Sequence, residues 1–223
     1  MMRIGLTGGI AAGKTVAGTC FTELGITVLD YDQLARDVVV PGTPGHAAVV
    51  GAFGAGIVDA DGSINRAALA AIVFPDHDAL DRLESIIHPL VIDEGQRLDT
   101  EAEARGERLI VHSIPLLVES AGPEAFDVVV VIDAPMELRV ERLVAGRKMT
   151  EAEAWDRINA QIDDDFRLEA ADVVFDGSGS EENLRGQVEA WVTDIRTNGF
   201  AFRPNAERTK FLVTEDAVPD KAR

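Results

Sequence analysis

Cysteine is nearly absent from this chain. Cys20 is the only one in 223 residues, so no disulfide can close within the chain and no thiolate cluster can hold a metal. Positive charge is also scarce. There are 21 Lys and Arg against 39 Asp and Glu, a net charge of −18, and only four of the basic residues are Lys. Such a chain is repelled by nucleic-acid backbones and anionic lipid, so no nucleic-acid partner and no membrane partner is expected. Any anionic substrate must meet the few basic residues gathered at one place. Long hydrophobic runs are missing too: none approaches the roughly 18 residues that a membrane span requires. Arg3 precedes only a short apolar stretch before Thr7-Gly8-Gly9, too short and too polar for a secretory leader. A cytoplasmic enzyme with no obligate protein partner is the expectation.

What is present is ordinary for a folded domain, with 46% apolar and 27% charged residues. The length allows one α/β core and a helical subdomain beside it. Hydrophobic patterning predicts strands over residues 3–7, 27–29, 108–112, 127–132 and 172–175, with helices over 14–24, 136–145, 151–160 and 181–197. The 127–132 strand is almost continuously Val, as a parallel strand covered on both faces would be. Thr150, three residues before Glu153, reads as a capping box. Residues 33–105 are helical in pattern and too many for a simple crossover. Strands alternating with helices indicate a parallel sheet covered on both faces. The polar residues 199–223 read as a loosely docked or disordered tail.

The segment Gly8-Gly9-Ile10-Ala11-Ala12-Gly13-Lys14-Thr15 fits G-x-x-x-x-G-K-[ST] in full, between a predicted strand and a predicted helix. Gly8 and Gly13 let the backbone curl so that its N–H groups face phosphate oxygens. The helix that begins near Lys14 adds its positive dipole end. Lys14 reaches the β- and γ-phosphates of ATP, and the Thr15 hydroxyl supplies one position on Mg²⁺. The motif predicts phosphate binding without saying which phosphate chemistry follows.

The second predicted strand ends at Asp30-Tyr31-Asp32, where ligands sit in sheets of this kind. A carboxylate there can take the proton of an attacking hydroxyl, although Asp30 serves equally well as a helix cap. A GTPase would need an Asn/Thr-Lys-x-Asp motif, which the sequence lacks. The D-x-x-G match at residues 59–62 is the commoner turn pattern.

Beyond the P-loop, an ordered set of residues resembles the dephospho-CoA kinase family. The set comprises Asp30-Tyr31-Asp32, Ala35-Arg36, Val40-Pro41-Gly42, Phe53-Gly54, Asp61-Gly62, the Arg66–Leu69 stretch, Phe74 and His88-Pro89-Leu90, then Pro115-Leu116-Leu117 with Glu119, Arg142-Leu143, Arg147, Arg157-Ile158, Gln161 and Ala171-Asp172. It spans about residues 2–195. The resemblance implies a three-layer P-loop α/β fold with a five-stranded parallel sheet, a helical substrate subdomain at 33–105 and a helical lid at 136–170. The core would be 1–32, 106–135 and 171–198. It also implies ATP-dependent phosphorylation of the ribose 3′-hydroxyl of dephospho-CoA, the final step of coenzyme A synthesis.

Carried over residue by residue, the resemblance makes Asp32 the general base, and Lys14, Arg142 and Arg147 the groups that neutralise charge in phosphoryl transfer. A break near Gly146 would let the two arginines converge. His88, Pro115 and Leu116 fall on the substrate side, although a His before a Pro at a helix start is more often a packing residue. Three departures stand out. Ser113 replaces a common Asp, residues Asp163, Asp164 and Asp165 put three carboxylates near an anion site, and Gly177 stands where the adenine-side loop often has Asn. The competing readings are another small-molecule P-loop kinase, acting on a nucleoside or sugar acid, and a nucleotide-binding regulator without turnover.

Overall fold

The computed structural model describes residues 1–147 and 149–199, together with the backbone of 211–213. Two compact units emerge: Met1–Val28 with Gly106–Arg223, and Leu29–Arg105.

The first unit is built on a parallel sheet. Its strands are β1 (Met2–Gly8), β2 (Thr27–Asp30), β3 (Leu109–Ser113), β4 (Val128–Asp133) and β5 (Val173–Asp176), in the order β2-β3-β1-β4-β5. The central pair explains the sequence pattern. Every residue of β4 from Val128 to Ile132 is essentially inaccessible, because β1 and β5 flank it and helices cover both faces. Parallel pairing sets Leu6 opposite Ser113, Gly8 opposite Ile132 and Asp133 opposite Asp176. The carboxyl ends of four strands therefore finish along one edge, where a parallel sheet places its ligands.

Helices α1 (Lys14–Glu23) and α9 (Glu181–Asn198) pack together on the sheet. Trp191 meets Phe21 and Phe175 edge-on, with ring centroids 6.2 and 5.7 Å apart, the geometry that aromatic quadrupoles favour. Phe211–Val213 adds a sixth strand, β6, parallel to β5. Of the two readings of the tail, loosely docked or disordered, these three residues follow the first, paired with the edge of β5. The remaining tail positions, 200–210 and 214–223, lie outside the described residues. No described helix is long and apolar enough to cross a membrane.

The second unit is helical: α2 (Tyr31–Asp37), α3 (Pro44–Phe53), α4 (Arg66–Val73) and α5 (His77–Ala104). Each starts on a side-chain cap, from Asp30, Thr43, Asn65 and Asp76 respectively, which satisfies exposed backbone donors. Its own core gathers Val49, Ile57, Leu69 and Val73. Gly95 on α5 lies so near Tyr31 of α2 that a Cβ would stand 2.7 Å from the phenol oxygen. Residues 59–62 form a turn, as read: Gly62 N–H donates to the Asp59 carbonyl, and His46 Nε2 sits 2.8 Å from the Gly62 carbonyl. His88 and Pro89 were expected at a helix start and instead lie inside α5. Both are exposed, so water can serve the carbonyl that Pro89 leaves without a donor, and the helix continues.

In the first unit, Gln187 of α9 is fully buried and grips the end of β5. Its Oε1 accepts from Asp176 N–H at 2.8 Å, while Nε2 donates to the Asp176 carbonyl and to Asn183 Oδ1. Gln187→Ala strands two buried backbone groups, and should cost about 2–4 kcal/mol in urea unfolding; a loss under about 0.5 kcal/mol would show that the clamp is replaced by water.

Candidate active site

The cradle forms as the motif requires. β1 ends at Gly8, α1 begins at Lys14, and Gly13 stands between them at φ 122°. Ala11 is the one described residue other than glycine with positive φ, at 62°. This sequence of backbone conformations turns N–H groups toward one concavity. Ala12 N–H closes the loop on the Gly9 carbonyl at 3.0 Å. Lys14 extends its ammonium to Ser113 Oγ at 2.9 Å. The hydroxyl at the end of β3 thus holds Lys14 at the edge of the sheet, and Ser113 enters the site as a lysine anchor. Thr15 is exposed in the first turn of α1.

The loop is held from outside. Ile10 N–H donates to Gln161 Oε1 at 2.7 Å, and Ile10 and Ala11 pack on Val140, Leu143, Ala154 and Ile158. Those four belong to α6 (Met136–Arg147) and α7 (Glu151–Asn159), the latter opened by the expected Thr150–Glu153 capping box. Arg142 donates to the Ala11 carbonyl at 3.1 Å and to the Gly177 carbonyl at 2.7 Å. It therefore ties the back of the P-loop to the turn after β5. Gly177 N–H donates to the Asp133 carbonyl at 2.6 Å, and a Cβ on Gly177 would overlap the Ala12 carbonyl. At this position the chain contributes backbone groups alone.

The break expected near Gly146 is corrected. α6 runs unbroken through Gly146, so Arg147 ends exposed at its last residue while Arg142 faces carbonyls. Two other arginines lie over the loop. A Cβ on Gly9 would overlap the Arg139 guanidinium and stand 3.5 Å from that of Arg167. Arg139 has no motif in its favour, since a basic residue one helical turn before Arg142 looks like surface. Only the packing of α6 on Ile10 and Ala11 turns it inward.

The three consecutive carboxylates separate into different roles. Asp163 caps α8 (Asp164–Glu169), accepting from Asp165 N–H at 3.1 Å. Asp164 bridges Arg139 and Arg167, and Asp165 is exposed. Glu119 lies 3.9 Å from Arg167. Thr7 Oγ1 donates to the Pro115 carbonyl at 3.1 Å, and Leu116 is half exposed. Asp32 is exposed in the first turn of α2, its N–H capped by Asp30 at 2.9 Å. Asp30 is therefore the helix cap and leaves Asp32 free of that duty. Asp32 and His88 belong to the helical unit.

A family model described as dephospho-CoA kinase matches residues 2–183. The chain belongs to the dephospho-CoA kinase family. The dephospho-CoA kinase of Cutibacterium acnes is 47% identical over 190 residues, which cover 85% of this chain and 82% of that relative. That of Mycobacterium tuberculosis is 46% identical over 227 residues, covering this chain entirely but 55% of the relative, so the chain spans about half its length. The solved dephospho-CoA kinase from Campylobacter jejuni shares the fold with a TM-score of 0.69 at 22% identity, covering 89% of this chain and 98% of its own.

As a member of this family the chain is an ATP-using kinase, and the residues present fit a metal carried in on the nucleotide. No cluster of three or more His, Cys, Asp or Glu suited to a metal occurs among the described residues. The exposed hydroxyl of Thr15, in the first turn of α1, is the kind of oxygen donor that Mg²⁺ carried on a nucleotide would take.

Asp133, at the end of β4, has its carboxyl pushed up chiefly by burial, then by the Asp164 charge, with Arg139 pulling the other way. Ionised Asp133 therefore weakens the fold above its raised folded pKa, and the weakening vanishes as pH falls below the unfolded carboxylate value of about 3.9. Asp133→Asn should raise the urea midpoint at pH 7 and converge with the parent near pH 4. A midpoint lowered at pH 7 would show that the charge is needed.

Arg142→Ala should weaken ATP binding about tenfold by releasing the loop's carbonyl side. Arg142→Lys should recover little, since one ammonium cannot span both carbonyls. Calorimetric titration with ATP checks both.

Proposed function

We propose that this chain transfers the γ-phosphoryl group of ATP to the ribose 3′-hydroxyl of dephospho-CoA, giving coenzyme A and ADP in the cytoplasm. The observation that carries phosphoryl transfer is the cradle at residues 8–15 with Lys14 braced on Ser113. The acceptor rests on membership of the family.

The chemistry follows from positioning and charge. Backbone N–H groups of the loop and Lys14 hold the β- and γ-phosphates. Thr15 would hold Mg²⁺, which would supply charge neutralisation on the phosphates. The acceptor oxygen attacks the γ-phosphorus in line, the bond to the β–γ bridging oxygen breaks, and ADP leaves. Asp32 takes the hydroxyl proton and releases it to solvent.

In this reading residues 136–170 are the lid and residues 33–105 the CoA-binding subdomain. Exposed apolar side chains on the helical unit, Val40, Phe74 and Ile92, suit the long, partly apolar arm of the acceptor. Pro115 and Leu116 form a wall on the acceptor side, and His88 offers a polar contact to substrate.

ADP release with dephospho-CoA, measured against nucleosides and gluconate, tests the assignment. Rapid turnover with dephospho-CoA alone is expected, and preference for another acceptor would overturn it. Asp32→Asn should lower kcat by about a hundredfold or more with ATP affinity nearly unchanged. Equal collapse of ATP binding would move Asp32 into the metal's coordination sphere.

A further inference from the structure

Arg139 and Arg167 are anomalous as structural residues. Each side chain is only 2% exposed, although a buried guanidinium is costly unless its charge and its N–H groups are all met. Both are bridged by a single carboxylate, that of Asp164. Arg167 also donates to the Ile162 carbonyl at 3.3 Å. The Nε atoms of both arginines are buried with no hydrogen-bond partner among the described residues. Two guanidiniums that share one carboxylate and keep unmet donors form an incompletely filled anion site.

The location gives the site its meaning. Both guanidiniums stand over Gly9, in the first turn of the phosphate loop, and only glycine leaves room for them there. Carboxylates are in excess around the pair. Asp164 is in contact, Glu119 lies 3.9 Å from Arg167, and the Asp133 carboxyl feels the charges of Asp164 and Arg139. A phosphate arriving beside Asp164 would meet like charge, so the carboxylate and the phosphate compete for the same donors.

We propose that Arg139 and Arg167 form a two-arginine clamp for the terminal phosphate of ATP, and that Asp164 fills the clamp as a built-in substitute which that phosphate displaces. A phosphate offers more acceptor oxygens than a carboxylate and a bidentate match to guanidinium, so it can also reach the unmet Nε donors. Asp164 spares the two buried charges from isolation when no nucleotide is bound, and it lowers ATP affinity in doing so. The inference rests on reading residues 8–15 as the nucleotide cradle, and does not depend on the acceptor.

The test is calorimetric titration of the whole chain with ATP and with ADP, each with Mg²⁺ and without acceptor. Asp164→Asn keeps shape but removes the competing charge, and should raise the preference for ATP over ADP by about tenfold. Arg139→Ala and Arg167→Ala should bring that preference close to unity. A residue that merely holds the lid together would weaken both nucleotides alike. An unchanged or reduced preference in Asp164→Asn, or a preserved one in either arginine variant, overturns the proposal. If an arginine variant does not fold, the decision falls to Asp164→Asn through melting temperature. Its shift on adding ATP, less that on adding ADP, should exceed the parent's, and an equal or smaller difference refutes the clamp. CoA formation is measured separately, so failure of the acceptor assignment leaves this outcome readable.

Discussion

The structure depends on one constraint: the loop after β1 must hold a curled backbone open to an anion, so side chains from elsewhere must support it. Gln161 reaches the single amide of Ile10, Arg142 takes the carbonyls on the opposite side, and α6 with α7 packs on Ile10 and Ala11. Such a loop left unsupported would fluctuate, and binding would have to supply its ordering free energy. With its carbonyls tied down, the cradle is formed before nucleotide arrives. The glycines follow from the same constraint. Gly9 makes room for arginines and Gly177 for the Ala12 carbonyl, so each small residue marks a place where two functional segments touch.

The electrostatics follow a similar economy. A chain with net charge −18 that handles ATP must shield the nucleotide from its own carboxylates. Near the loop three negative groups are engaged: Asp163 caps a helix, Asp164 pairs with two arginines, and Asp176 Oδ1 accepts from Ser178 N–H at 2.7 Å. Paired or capping carboxylates repel a phosphate less than free ones, because their charge is already met locally. Asp133 is the exception, and burial raises its pKa.

Much of this was legible in the sequence. The run of Val in β4, the G-x-x-x-x-G-K-T segment and the Thr150–Glu153 box each encode local geometry within a few residues, and each occurs where the pattern placed it. What the sequence concealed was orientation across the chain. Nothing local distinguishes Arg139 from Arg142 or Arg147. Their difference arises from which face of α6 meets the loop 130 residues earlier. Pro89 misled because an interior proline looks like a helix boundary, yet on an exposed face it is tolerated. The edge of β5 pairs with Phe211–Val213, a contact that a polar segment with two prolines does not announce.

The central claim is that the loop delivers a phosphoryl group to one particular hydroxyl. Phosphorus NMR of the product formed from ATP, Mg²⁺ and dephospho-CoA addresses this directly. The account predicts one new phosphomonoester resonance, coupled to the ribose 3′ proton, growing in step with ADP. A phosphate appearing on another oxygen, or ATP binding with no new resonance, would contradict it.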